Sequence, residues 1–273
     1  MLHSEIAVPG AAACPPQPMS DIRIAYGPVS WTGGGAVSAG PGHSLLLDLA
    51  PTARFRCTAD SVIVEPLPGA DATRVSALLI ASALPACLWL RGEPVLHASV
   101  MVPAGASRAV AICGGSGSGK STALDMMLAR GAKAVGDDTV RIVSTGGTLV
   151  ASGLAAAYRR RRSAHDDSRE TLPIAPDQQC AHAPLEAIFL PRRAGEGETP
   201  RFESLTGISK VGALLSQRHR PAMPGALGIE AELLPYFARL AALDVYLWFR
   251  PPGPPMLTDG ELAFLEKTAR RQK

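Results

Sequence analysis

The chain has 273 residues, 47% of them hydrophobic and 19% charged, which supplies a packed core and excludes wholesale disorder. Lys and Arg number 27 against 24 Asp and Glu, a net charge of +3, without the concentrated basic footprint of a nucleic-acid binder. The 5 cysteines, at 14, 57, 87, 113 and 180, are widely spaced and form no C-x-x-C pair. That argues against a disulfide framework or a zinc site and for a reducing, cytoplasmic setting.

In chain order, residues 1–20 read as a flexible tail, proline-rich at Pro9, Pro15, Pro16 and Pro18 and without the basic start and apolar core of a signal peptide. Residues 21–93 read as a smaller β-rich segment with one helix. Ile22–Ile24, Leu45–Leu47 and Phe55–Val64 are strand-like, and Gly33–Gly35 and Gly40–Gly42 are loops. Asp71 caps a helix on which Val75, Leu78, Leu79 and Ser82 share a face, and Pro85 is expected to kink or end it. The apolar run Ser76–Leu90 falls short of the roughly twenty residues of a membrane span, so a soluble protein with no membrane partner is expected.

A second domain is expected over residues 94–273. Val95–Val102 and Ala109–Cys113 read as buried strands, and Ser121–Arg130 as a helix stopped by Gly131. Ala134–Val135 and Thr139–Val143 are strand-like and lead to a Gly146-Gly147 turn. Residues 151–184 read as a long polar loop with a short helix, and Leu185–Leu190 as a strand. Leu205–Leu215 and Ala231–Ala242 read as helices, and Val245–Phe249 as a last strand, with Trp89 and Trp248 as core. The mixture predicts an α/β fold preceded by the β-rich segment.

Gly114-Gly115-Ser116-Gly117-Ser118-Gly119-Lys120-Ser121 matches G-x-x-x-x-G-K-[ST] in full, with a strand before it and a helix after it. Glycines let successive N–H groups turn inward on phosphate oxygens, and the helix start adds partial positive charge. Residues Gly114 to Thr122 are thus expected to bind nucleotide, with Lys120 on the β- and γ-phosphates and Ser121 on Mg²⁺. Asp137 and Asp138 follow a short strand. Beside Mg²⁺ and a triphosphate, one can hold the metal and the other can accept a proton; alone, such a pair would read as a solvated turn cap. His97 lies in an apolar strand, where a hydrogen-bonded core residue is the commoner role. Arg159–Arg162 is the one dense basic run. A solvated face is the plainer reading, and gripping phosphates or an acidic peptide the alternative.

Leu96-His97, Gly114–Ser121, Arg130-Gly131 and Asp137-Asp138, in that order, resemble the core of the HPr serine kinase/phosphorylase family. Arg91-Gly92 before LHAS, the strand LEAIFL and the late VYLWF resemble its short branch in peptide-tailoring clusters, which includes lasso-peptide precursor kinases. The resemblance implies a P-loop kinase core with a central mixed sheet, ATP and Mg²⁺ as cofactors, and phosphoryl transfer to a serine of a peptide or small protein. It places His97 near the transferred phosphate, makes one of Asp137 and Asp138 the base, with Asp137 favoured, and gives the metal to Ser121 and Asp138. It also implies self-association. An E-I-R-G-L-G signature, which supplies an arginine in the full-length enzymes, does not occur; Arg159–Arg162 could replace it. A small-molecule kinase and a non-catalytic ATP-binding module are the alternatives.

Overall fold

The computed structural model describes residues 2–4, 22–153, 157–163, 166–251 and 256–271. Most of the expected N-terminal tail therefore lies outside the described residues. Packing divides the chain into two units, Met1–Val95 with His219–Leu233, and Leu96–Arg218 with Leu234–Lys273.

The first unit is built on β1 (Leu2–Ser4), β2 (Ile22–Tyr26), β3 (Val37–Gly40), β4 (Ser44–Leu49), β5 (Ala53–Cys57) and β6 (Ser61–Pro66), in the spatial order β1-β2-β6-β5-β4-β3. Alternation in β5 and β6 turns Ala53, Phe55, Cys57, Val62 and Val64 inward. A helix then packs against β4, β5 and β6. Its first part, α1 (Ala72–Leu78), is capped by Asp71, whose carboxylate accepts from the Arg74 N–H at 2.9 Å.

Pro85 does not end this helix. Leu79–Ala83 forms a π turn in which the Leu84 N–H reaches the Leu79 carbonyl, and α2 (Leu84–Leu90) carries Pro85 in its first turn, where a missing N–H costs nothing. The Ala81 carbonyl, which the N–H of residue 85 would otherwise meet, is hydrogen-bonded to the His219 ring at 3.2 Å and accepts from Arg220 Nε at 3.0 Å. Trp89 donates its indole N–H to the His219 carbonyl at 3.1 Å. These bonds draw residues 219–233 into a unit whose sequence was expected to end at residue 93. The continuous helix Ala72–Leu90 has 19 residues and is long and apolar enough to cross a membrane. With 67% of it buried, it is packed as a core helix.

The second unit is a curled mixed sheet with flanking helices. Its strands include β7 (Val95–Leu96, shared with the first unit), β8 (Ala98–Val102), β9 (Ala109–Cys113), β10 (Lys133–Gly136), β11 (Val140–Thr145) and β12 (Thr148–Gly153). β13 (Ala157–Ser163) and β14 (Asp166–Pro173) form a separate two-stranded sheet, while β15 (His182–Arg193), β16 (Arg201–Ser204) and β17 (Asp244–Arg250) complete the larger one. The order β10-β8-β9-β15 forks at the long β15, which pairs with β12 through His182–Pro184 and with β17 through Ala187–Arg193. The helix α3 (Lys120–Ala129) and the C-terminal helix Asp259–Ala269 share a core with Ile112, Phe189 and Trp248, through Leu124, Met127 and Leu265.

Three expectations change. Val95–Val102 is not one strand: it breaks at His97, whose N–H donates to the Gln217 carbonyl at 2.9 Å. Residues 151–184 are not a loop. They hold the end of β12, the β13–β14 hairpin and a 3₁₀ turn at Pro176–Gln178. Polar strands facing each other across a hairpin, with Arg160 opposite Glu170 in register, lack the apolar alternation that announces a strand. The helix expected from Leu205 begins at Ser209, because Gly207 turns through φ +62°.

Candidate active site

Sheet topology brings the sequence-predicted residues together. β9 ends at Cys113 and opens into the glycine loop. β8 is antiparallel to β9, with Ala98 opposite Cys113, so its first residues lie at the mouth of that loop. β10 is antiparallel to β8 and ends at Gly136 opposite Val100, which delivers Asp137 and Asp138 to the same edge. The outer edge of parallel strand ends is where α/β proteins place ligands.

The loop needs its glycines. Gly117 and Gly119 have φ of +81° and +91°, which residues with a side chain rarely adopt. Further on, β10 and β12 approach so closely that a β-carbon on Gly153 would lie 2.1 Å from the Val135 carbonyl oxygen. That contact fixes the backbone just before Asp137.

Lys120 opens α3 and is buried; its ammonium donates to the carbonyls of Gly114 at 2.8 Å and Gly115 at 3.0 Å, so the side chain folds back along the loop. Ser121 donates to Asp137 Oδ2 at 3.0 Å, and Ser99 Oγ donates to Asp137 Oδ1. Asp138, held at φ +71°, turns the other way and meets His97 Nε2 at 3.1 Å. The His97 carbonyl accepts the Gly114 N–H at 3.3 Å. His97 and Asp138 are 27% and 35% exposed, so this pair faces an approach from solvent. Ser121 thus pairs with Asp137, not with the Asp138 expected to share its metal, and His97 sits at a strand break rather than inside a strand.

The residues present suit a nucleotide's phosphates. Ser118 Oγ is buried within the loop without a hydrogen-bond partner, and Thr122 lies in the first turn of α3, whose backbone N–H groups have no intrahelical partners. Among the described residues no group of three or more His, Cys, Asp or Glu could hold a metal by itself. The Ser121–Asp137 pair fits Mg²⁺, which binds through one or two protein oxygens and completes its shell with phosphate and water. Burial pushes the Cys113 thiol up to about 12, although Lys120 pulls the other way. The thiol stays protonated and offers no nucleophile at neutral pH.

The sequence reading missed Ser99, Glu261 and Arg250. Thr258-x-x-Glu261 is a legible capping box, and it starts the unforeseen helix Asp259–Ala269. Arg250 ends β17, and only knowledge of the strand order places it near the loop. The side chains of Arg159–Arg162 lie outside the described residues.

No protein-family model matches the chain, and no curated protein matches it. Among solved structures it is similar to the HPr(Ser) kinase/phosphatase from Coxiella burnetii, with 14% identity and a TM-score of 0.38 over 65% of this chain and 89% of that one. A likeness that loose does not carry an activity from one protein to the other.

Proposed function

We propose that the chain is an ATP- and Mg²⁺-dependent phosphotransferase acting on a hydroxyl, with a serine of a peptide or small protein as acceptor. The observation that carries this reading is the hydrogen bond from Ser121, in the phosphate-binding loop, to Asp137, one of two adjacent carboxylates of which the other faces His97. A nucleotide-binding switch has no need of the second carboxylate.

The loop amides and Lys120 hold the β- and γ-phosphates. Ser121 and Asp137 would hold Mg²⁺, which would supply charge neutralisation for the phosphates. Asp138 accepts the proton of the acceptor hydroxyl as that oxygen bonds to the γ-phosphorus, the bond from phosphorus to the β,γ-bridging oxygen breaks, and ADP leaves. His97 orients Asp138. On this reading Asp137, which accepts from Ser99 and Ser121, serves the metal side and Asp138 is the base, the reverse of the assignment favoured from sequence.

The test is label transfer from γ-labelled ATP into a size-fractionated host extract. Wild type labels a short peptide or small protein. Asp138→Asn lowers transfer by about 10²–10⁴-fold with nucleotide affinity retained, and Asp137→Asn weakens Mg²⁺-nucleotide binding as well. Label confined to small metabolites transfers the reading to a small-molecule kinase. Hydrolysis to free phosphate that is equal in all three proteins removes the kinase reading.

A further inference from the structure

β17 runs parallel to β15, and β15 parallel to β9, so the last residue of β17 reaches the edge from which the glycine loop departs. That residue is Arg250. A β-carbon built on Gly119 would stand 2.9 Å from Arg250 Nη1, so the guanidinium occupies the space that a side chain at position 119 would need. Among the described residues, Glu261, Met256 and Trp248 help to hold it in place. Nε donates to Glu261 Oε1 at 3.0 Å, Nη2 donates to the Met256 carbonyl at 3.0 Å, and the group lies 5.1 Å from the centre of the Trp248 ring. Arg250 is thereby held with Nη1 against the residue that precedes Lys120.

We propose that Arg250 is a second phosphate-binding cation of the loop, acting with Lys120 on the phosphate chain of a nucleoside di- or triphosphate. Phosphate oxygens suit a planar guanidinium, which can present two N–H groups to one anion. The inference rests on the phosphotransferase reading and adds to it a binding residue from a strand remote in sequence.

The size of the loss separates phosphate binding from a purely structural clasp. Glu261 faces the same guanidinium, so a clasp predicts equal harm from removing either partner. Phosphate binding predicts unequal harm, because Glu261→Gln keeps an acceptor oxygen for Nε while the phosphate contact goes only with the guanidinium. The experiment is equilibrium binding of Mg-ADP and Mg-ATP to the full chain, with thermal unfolding recorded for each variant. Arg250→Gln is expected to bind about ten- to a hundredfold more weakly, Arg250→Lys to keep part of the affinity, and Glu261→Gln to lose clearly less than Arg250→Gln. Equal weakening in Arg250→Gln and Glu261→Gln overturns the proposal. So does Arg250→Gln binding within about twofold of wild type while Lys120→Ala loses binding. If Arg250→Gln does not fold, Arg250→Lys and Glu261→Gln decide: a larger loss in the first supports phosphate binding, and an equal or smaller one rejects it. A wild type that binds neither nucleotide removes the phosphotransferase reading itself.

Discussion

Glu261 is 3% exposed yet carries a carboxylate that serves three residues. Oε1 accepts the Trp248 indole N–H at 2.9 Å and Arg250 Nε at 3.0 Å, and Oε2 accepts the Thr258 N–H at 2.7 Å, completing the capping box. Glu261→Ala leaves a buried indole N–H unpaired, at about 1–3 kcal/mol, and removes half of the cap, at about 0.5–1 kcal/mol. Arg250 is 16% exposed, so losing its partner costs less than the roughly 3–5 kcal/mol of a fully buried pair, about 1–2 kcal/mol after discount for solvent. The three losses share one network and do not add fully, which gives about 3–4 kcal/mol in all, a large part of the 5–15 kcal/mol typical of a domain. Glu261→Gln keeps an acceptor oxygen and should cost about half as much. Urea unfolding followed by tryptophan fluorescence and circular dichroism measures both. An Ala variant within about 1 kcal/mol of wild type, or equal effects of Ala and Gln, would refute the network account.

The remaining predictions concern the backbone and the titrating groups. Gly153→Ala places a β-carbon against backbone that cannot rotate away, 2.1 Å from the Val135 oxygen and 2.6 Å from Gly136 Cα; it should cost about 1–3 kcal/mol and weaken Mg²⁺-nucleotide binding by displacing Asp137, and wild-type values in both assays would sink this account. Burial pushes the Cys113 thiol from its ordinary 9.0 up to about 12, so the unfolded chain loses that proton first. Stability should therefore fall as pH rises from about 9 to about 12, by up to 1.4 kcal/mol per unit, and Cys113→Ala should flatten that limb of the stability profile. Asp71→Ala removes the cap of α1 and should cost about 1 kcal/mol by urea unfolding; no change would mean that packing against the sheet alone sets the helix start.

Local chemistry made the glycine loop, the Asp71 cap and the buried strands Ala109–Cys113 and Leu185–Leu190 legible, because each depends on residues adjacent in sequence. The β13–β14 hairpin was hidden by its own charges, and the full length of the Ala72–Leu90 helix by Pro85, which sequence alone allows either to kink or to end it. The second case is instructive. A proline ends a helix only when its lost hydrogen bond and its clash with the preceding turn go uncompensated. Here a π turn removes the need for that bond, and His219 and Arg220 satisfy the Ala81 carbonyl. Both partners are more than a hundred residues away along the chain, beyond the reach of any local rule.

The same distance separates what the loop motif reveals from what surrounds it. The loop motif upstream suggested that the two carboxylates lie beside a triphosphate, but the partners that each one meets come from β8 and the residue before it. Ser99 of that strand adds a second hydroxyl to Asp137, and His97 just before it draws Asp138 away. Arg250 requires a longer inference still, through the parallel pairing of β9 with β15 and of β15 with β17. Two successive parallel pairings carry the direction of β9 across to β17, so their C-terminal ends must share an edge. At that edge Gly119 leaves the space that the guanidinium fills. A glycine that the loop already requires for its φ of +91° therefore has a second reason to lack a side chain, and the two reasons separate experimentally. Gly119→Ala in wild type meets both the backbone strain and Arg250. In an Arg250→Ala background only the strain remains, so the loss of stability caused by Gly119→Ala should shrink by about 1 kcal/mol or more in that double-mutant cycle. Strictly additive losses would place the guanidinium elsewhere.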